Sequence, residues 1–148
     1  MRAVQTLVIV ANEGRARILE NAGIGKGLTV LQEIDKTQFD DTLVRYSDAP
    51  GRSSAARGMA GHVMDRVQSE RDQMREAFAQ HVLDTAETLW SKRGYDRLAM
   101  AAPPKMLGNL RRGLTAAMKK ALVADLDKDL LALTPAKLVD RFGDQVVF

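Results

Sequence analysis

The chain contains no cysteine, and only 5% of its residues are aromatic. The missing thiols exclude disulfide bonds, thiolate metal sites and cysteine nucleophiles. The few aromatic rings leave few platforms on which nucleic-acid bases could stack. No segment approaches the roughly 18 apolar residues of a membrane span, and the apolar run at residues 7–11 is too short for a signal peptide. We therefore expect a cytoplasmic protein without a membrane partner.

What is present resembles an ordinary globular protein. The 148 residues are 45% hydrophobic and 28% charged, which favours a single domain over residues 1–148 with a core of its own. The formal net charge is only +3, although the estimated pI is about 9.4. A strong electrostatic field could therefore arise only from an uneven distribution of charges.

The pattern of apolar residues predicts an α/β protein. Strands are expected at residues 4–11, 15–20, 28–35, 96–102 and 122–126. A long amphipathic helix is expected to begin at Ser69, where Ser69 and Asp72 form a capping-box pattern, and to end at Gly94. Further helices are expected within residues 105–122, broken near Gly113, and from Pro135, with Thr134 as N-cap. The order β-β-β-α-β-α-β-α predicts a five-stranded mixed sheet with helices on both faces.

The same pattern predicts the core. Residues 8–10 should lie in a central strand, because β-branched and aliphatic side chains follow one another without interruption. Phe78, Leu89 and Leu98 should pack against that sheet.

A basic, glycine-rich stretch precedes the long helix. The segment APGRSSAARGMAGH, residues 49–62, has one large apolar side chain and no acid. It predicts a flexible loop at about residues 47–65. Arg52, Ser53, Arg57 and His62 are the candidate nucleic-acid contacts within it.

Cations also cluster further along the chain. Residues 97–120 carry six cations and no acid, and such clusters attract phosphates. Lys105, Arg111 and Arg112 are the candidates there. The alternative is a solvated helix face that only keeps the protein soluble.

Motifs for known cofactors are absent. There is no phosphate-binding loop and no dinucleotide fingerprint. The segment that starts at Asp125 imitates a calcium loop, but Leu130 and Ala136 stand where glycine and glutamate are required. His62 and His81 have no obvious third metal ligand. We therefore predict no cofactor, no metal and no catalytic residue.

Four segments carry a resemblance to a known family: TLVIVANEGRARILE, SDAPGRSSAARGMAGHVMD, YDRLAMAAPPKMLGNLRRGL and ADLDKDLLALTPAKLVDRF. Together they resemble the bacterial host attachment protein family, although Asn12 stands where that family usually has aspartate. The family is in turn similar to the middle domain of archaeal and eukaryotic peptide release factors. This resemblance implies a ribonuclease H-like, three-layer α/β/α fold with strand order 3-2-1-4-5 and strand 2 antiparallel.

The resemblance also bears on function. In release factors the corresponding loop carries Gly-Gly-Gln, which is absent here, so peptidyl-tRNA hydrolysis is not supported. The first hypothesis is a non-catalytic RNA- or ribosome-associated binding module that uses the loop and the basic helix. The alternative is a protein-interaction factor needed indirectly for attachment to host cells. The third is a hydrolase acting on a phosphorylated or tRNA-linked substrate. The oligomeric state stays open.

Overall fold

The computed structural model describes residues 3–37 and 60–148, and for residues 60–63 the backbone alone. The strands in these ranges are β1 (Thr6–Ala11), β2 (Arg15–Asn21), β3 (Thr29–Asp35), β4 (Arg97–Ala101) and β5 (Leu122–Leu126). The helices are α1 (Ala60–Arg93), α2 (Pro104–Gly113), α3 (Ala116–Ala121) and α4 (Pro135–Phe142).

The five strands form one mixed sheet in the order β3-β2-β1-β4-β5. β2 is antiparallel to both β1 and β3, whereas β4 is parallel to β1 and β5 is parallel to β4. All six residues of β1 are buried, and residues 7–11 are a continuous apolar run, as expected of a strand covered on both faces. The predicted α/β fold class, strand order and antiparallel second strand are confirmed.

Each face of the sheet buries its own core, because successive side chains of a strand point to opposite sides. Leu7 and Ile9 face α1, α2 and α3 and share a cluster with Phe78. Val8 and Val10 face the other side and share a cluster with residues of α4, namely Leu138 and Phe142. The predicted core is confirmed at residues 8–10, Phe78 and Leu98. Leu89 is only partly buried against the first cluster.

The start of the long helix differs from the prediction. α1 begins at Ala60, nine residues before Ser69, so the predicted loop cannot extend to residue 65. The Asp72 carboxylate does not cap the N-terminus of a helix. It accepts hydrogen bonds from Gln68 Nε2 at 3.2 Å and Arg75 Nη2 at 2.7 Å. The capping-box pattern therefore lies inside the helix. The part of the predicted loop before residue 60 lies outside the described residues.

No helix within residues 3–37 and 60–148 is long and apolar enough to cross a membrane.

Candidate nucleic-acid interface

The basic segment of the sequence folds into α2 and α3, which cover the same face of the sheet as α1. Pro104 occupies the first turn of α2, where its missing N–H costs no hydrogen bond. α3 begins at a Thr115 cap, whose hydroxyl accepts from Met118 N at 3.2 Å. Both helices bury their apolar sides and expose cations. We call the exposed set the α2–α3 surface: Lys105, Arg111, Arg112, Lys119 and Lys120.

Arg111 forms an ion pair with an acidic residue of the sheet. Its Nε donates to Asp125 Oδ2 on β5 at 2.6 Å, and its side chain is about half exposed, at 51%. The hydrogen bond to Asp125 raises the pKa of Arg111. This predicted candidate is therefore less available to a ligand than its neighbours.

Lys105 lies near enough to Asp72 of α1 for its charge to act on that carboxylate. The pKa of Asp72 is below its ordinary 3.8, chiefly because Arg75 donates a hydrogen bond to it, and the charge of Lys105 adds to the lowering. Lys105 is exposed in the first turn of α2. It therefore remains open to an additional anionic partner.

Arg112 is held by a buried amide. Asn109 is 8% exposed. With its amide oriented by its hydrogen bonds, Oδ1 accepts from Arg112 Nη2 at 2.8 Å and Nδ2 donates to Lys105 O at 3.0 Å. Arg112 itself is exposed.

The run of six cations in the sequence does not form one surface. Arg97 lies at the start of β4, where its Nε donates to Thr6 Oγ1 at 2.9 Å and its Nη2 to Val147 O at 3.1 Å. Its partners are the neighbouring strand and the C-terminal residues, so Arg97 has a structural role apart from the α2–α3 surface.

The candidates in the loop are not brought into this geometry. Arg52, Ser53 and Arg57 lie outside the described residues, and His62 lies in the first turn of α1, where the structure describes only the backbone. Sequence reasoning missed Glu76, Gln80 and Asn109, which line a cleft together with Arg112 and Gly113. The only signal in the sequence is the spacing within each helix: Glu76 and Gln80 are four residues apart, and Asn109 and Arg112 are three apart. The sequence does not show that these two helices pack against each other.

Asn12 has a structural role at the turn after β1. Its Oδ1 accepts from Gly14 N and Arg15 N, both at 2.8 Å, while its Nδ2 donates to Asp129 Oδ2 at 3.2 Å. An ionised aspartate could make the first two bonds but has no proton to donate to Asp129. The amide therefore joins the β1–β2 turn to the segment that follows β5.

Among the described residues, no group of three or more histidine, aspartate and glutamate side chains could hold a metal ion.

Comparison with known proteins places these features in a family context. The family model described as "Bacterial archaeo-eukaryotic release factor family 12" matches residues 5–142. The crystal structure of the archaeal translation termination factor aRF1 is similar to 95% of this chain, with a TM-score of 0.52 and 17% identity. A structure described as an archaeal protein is similar to 96% of it, with a TM-score of 0.51 and 18% identity. No curated protein matches the chain significantly.

This chain spans only 38% of the first structure and 34% of the second. At such low identities, the two likenesses show the shared fold alone.

Proposed function

Since the chain belongs to bacterial archaeo-eukaryotic release factor family 12, we propose that it is a non-catalytic RNA- or ribosome-associated binding module. The fold shared with a translation termination factor supports this proposal, because the same architecture occurs in a protein of the translation machinery. In this proposal the protein acts in the cytoplasm, where ribosomal RNA is its available ligand.

The α2–α3 surface is the observation that carries the proposal. All five of its cations are exposed, and residues 98–121 contain no acid. Clustered cations attract the phosphate backbone of nucleic acids and release its counterions. Arg112 adds a planar guanidinium, which matches phosphate oxygens bidentately.

The proposal also includes the candidates of the basic loop, Arg52, Ser53, Arg57 and His62. They stay a prediction, and a separate variant tests them. The same holds for the host attachment role: the alternative is a protein-interaction factor needed indirectly for attachment, and its ligand would be a protein.

Salt-dependent binding tests the proposal. The affinity of the full chain for a labelled ribosomal RNA fragment is measured by fluorescence anisotropy at about 50–200 mM salt. Lys105→Gln, Arg112→Gln and Lys119→Gln should each weaken binding and lower the salt slope by about 1. Arg111→Gln should have a smaller effect, because that guanidinium is already bonded to Asp125.

Lys137→Gln is the matched control, since Lys137 is exposed on α4 across the sheet from α2 and α3. It should leave the slope unchanged. The double variant Arg52→Gln/Arg57→Gln tests the loop in the same assay. If the parent chain has no measurable affinity for RNA, or if the three α2–α3 variants bind as it does, the proposal is wrong. A protein partner captured from RNase-treated lysate would then support the alternative.

A further inference from the structure

α1 and α2 approach each other closely at Gly113. A Cβ atom on Gly113 would lie 2.5 Å from Leu83 Cδ1 and 3.1 Å from Gln80 Oε1. Beside this contact a cleft of about 140 Å³ opens between the helices, lined by Glu76, Gln80, Asn109, Arg112 and Gly113. We call it the α1–α2 cleft. Four of the five lining residues have polar side chains, so the cleft suits a hydrogen-bonding ligand.

The α2 wall of the cleft presents a positioned cation. Arg112 Nη2 donates a hydrogen bond to Asn109 Oδ1, and Asn109 Nδ2 in turn donates to the backbone oxygen of Lys105 on α2. A Cβ atom on Gly108 would lie 3.5 Å from Arg112 Nη1, so the guanidinium rests over that glycine, one turn back along the helix. A side chain already held in place loses less conformational entropy when a ligand binds.

The α1 wall presents acceptors instead. Glu76 and Gln80 are four residues apart and share one face of the helix. Gln80 Nε2 donates to Asp84 Oδ1 at 2.9 Å, which leaves its Oε1, near Gly113, as an acceptor. The ionised Glu76 carboxylate only accepts hydrogen bonds. The cleft therefore pairs a cation with acceptors, so its ligand should carry an anionic oxygen next to a hydroxyl donor.

We propose that the α1–α2 cleft binds a ribose-phosphate unit of RNA: Arg112 donates to a phosphate oxygen, and Glu76 accepts the proton of the ribose 2′-hydroxyl. DNA lacks the 2′-hydroxyl. Its phosphate would therefore lie near the negative charge of Glu76 without a hydrogen bond to that carboxylate, so the cleft selects RNA over DNA. Glu76, Gln80 and Arg112 are exposed, so the cleft opens to solvent and its ligand need insert only a phosphate with one edge of its ribose. This inference rests on the proposed nucleic-acid function.

The test compares RNA with DNA of the same sequence, with U replaced by T. Both affinities are measured for the parent chain, for Glu76→Ala, and for the control Glu87→Ala. Glu87 is an exposed carboxylate on α1, about three turns further along the helix. The parent should prefer RNA by about tenfold, the size of one charge-assisted hydrogen bond. Glu76→Ala should bring the ratio of the two affinities close to 1, while Glu87→Ala should leave it unchanged.

The possible results separate this inference from the function on which it rests. If the parent binds RNA and DNA equally, or if Glu76→Ala changes both affinities by the same factor, the inference about the 2′-hydroxyl is wrong and nucleic-acid binding stands. If neither polymer binds, the proposed function itself is wrong. Glu76 is exposed, so the alanine variant should keep the far-ultraviolet circular dichroism and melting temperature of the parent.

Discussion

Arg75 Nε donates to Glu13 Oε1 at 2.7 Å and so joins α1 to the turn between β1 and β2. The Arg75 side chain is 7% exposed, whereas Glu13 and its second partner, Asp72, are about half exposed. Burial lowers the pKa of Arg75, but the hydrogen bonds to the two carboxylates outweigh it, so the pKa is raised overall. A buried cation therefore fixes where α1 passes the sheet.

Arg75→Met should destabilise the protein by about 2 kcal/mol, because hydrogen bonds to charged groups are lost while methionine keeps much of the apolar contact. The free energy of unfolding from urea titration measures this. Arg71→Met, an exposed neighbour one turn earlier, is the control and should cost less than about 0.5 kcal/mol. Equal costs for the two variants would contradict a specific role for Arg75.

Phe78→Ala should cost roughly 3–5 kcal/mol, the usual range for emptying a buried aromatic site. Phe78 is fully buried between α1 and the sheet. Phe78→Leu, which keeps most of the volume, should cost clearly less in the same urea titration. A loss below about 1 kcal/mol for the alanine variant would be inconsistent with this packing.

Local signals explain which elements could be predicted from the sequence. α4 matches its prediction because Thr134 and Pro135 mark its start locally: the Thr134 hydroxyl accepts from Lys137 N at 3.3 Å. The start of α1 could not be predicted in this way. Its first turns bury little, with Met64 at 72% and Val67 at 50% exposure, so no apolar period marks them.

The candidate site was predictable only in part. The sequence showed that residues 97–120 are basic, but it could not show that Asp125 binds Arg111 or that Arg97 turns toward Val147. These pairings depend on strand order and on the direction of each side chain. The α1–α2 cleft is likewise tertiary, since Glu76 and Arg112 are 36 residues apart in the chain.

Gly113→Ala should destabilise the protein by about 1–3 kcal/mol, the usual cost of overpacking, because its Cβ would lie 2.5 Å from Leu83 Cδ1. Gly108→Ala is the matched control on the same helix, where the added Cβ meets Arg112 Nη1 at an ordinary 3.5 Å. It should stabilise the helix by about 0.5–1 kcal/mol. Melting temperatures should shift in opposite directions; equal shifts would contradict the close approach of α1 and α2.

Tyr95 should ionise well above the ordinary phenol pKa of 10. Burial is the main cause of the raised pKa, and the hydrogen bond from Tyr95 Oη to Glu20 Oε1 at 2.7 Å adds to it. The folded state favours the neutral phenol. Tyr95 therefore makes its full contribution to the free energy of unfolding below pH 10, and this contribution is lost as the pH rises above 10.

Ultraviolet titration of a Tyr46→Phe variant measures Tyr95 alone, because the chain has two tyrosines. Glu20→Gln in that background should lower the pKa but leave it above 10, because burial persists. Ionisation of Tyr95 near pH 10 in the folded protein would contradict the prediction.

Arg17 should hold the segment between β5 and α4 against the sheet. Its side chain is 13% exposed, and its Nη1 donates to Leu133 O at 2.7 Å and to Leu131 O at 3.3 Å. Arg17→Leu removes both bonds, so the amides of residues 131 and 133 should exchange with solvent faster, while those of β1 stay protected by the central sheet. Arg15→Leu is the control, because Arg15 lies two residues earlier on the same strand and is exposed. Hydrogen exchange followed by NMR measures these rates. Faster exchange throughout the sheet would mean global destabilisation and would contradict a local role for Arg17. No change at residues 131 and 133 would mean that the hydrophobic contacts of α4 suffice to order this segment.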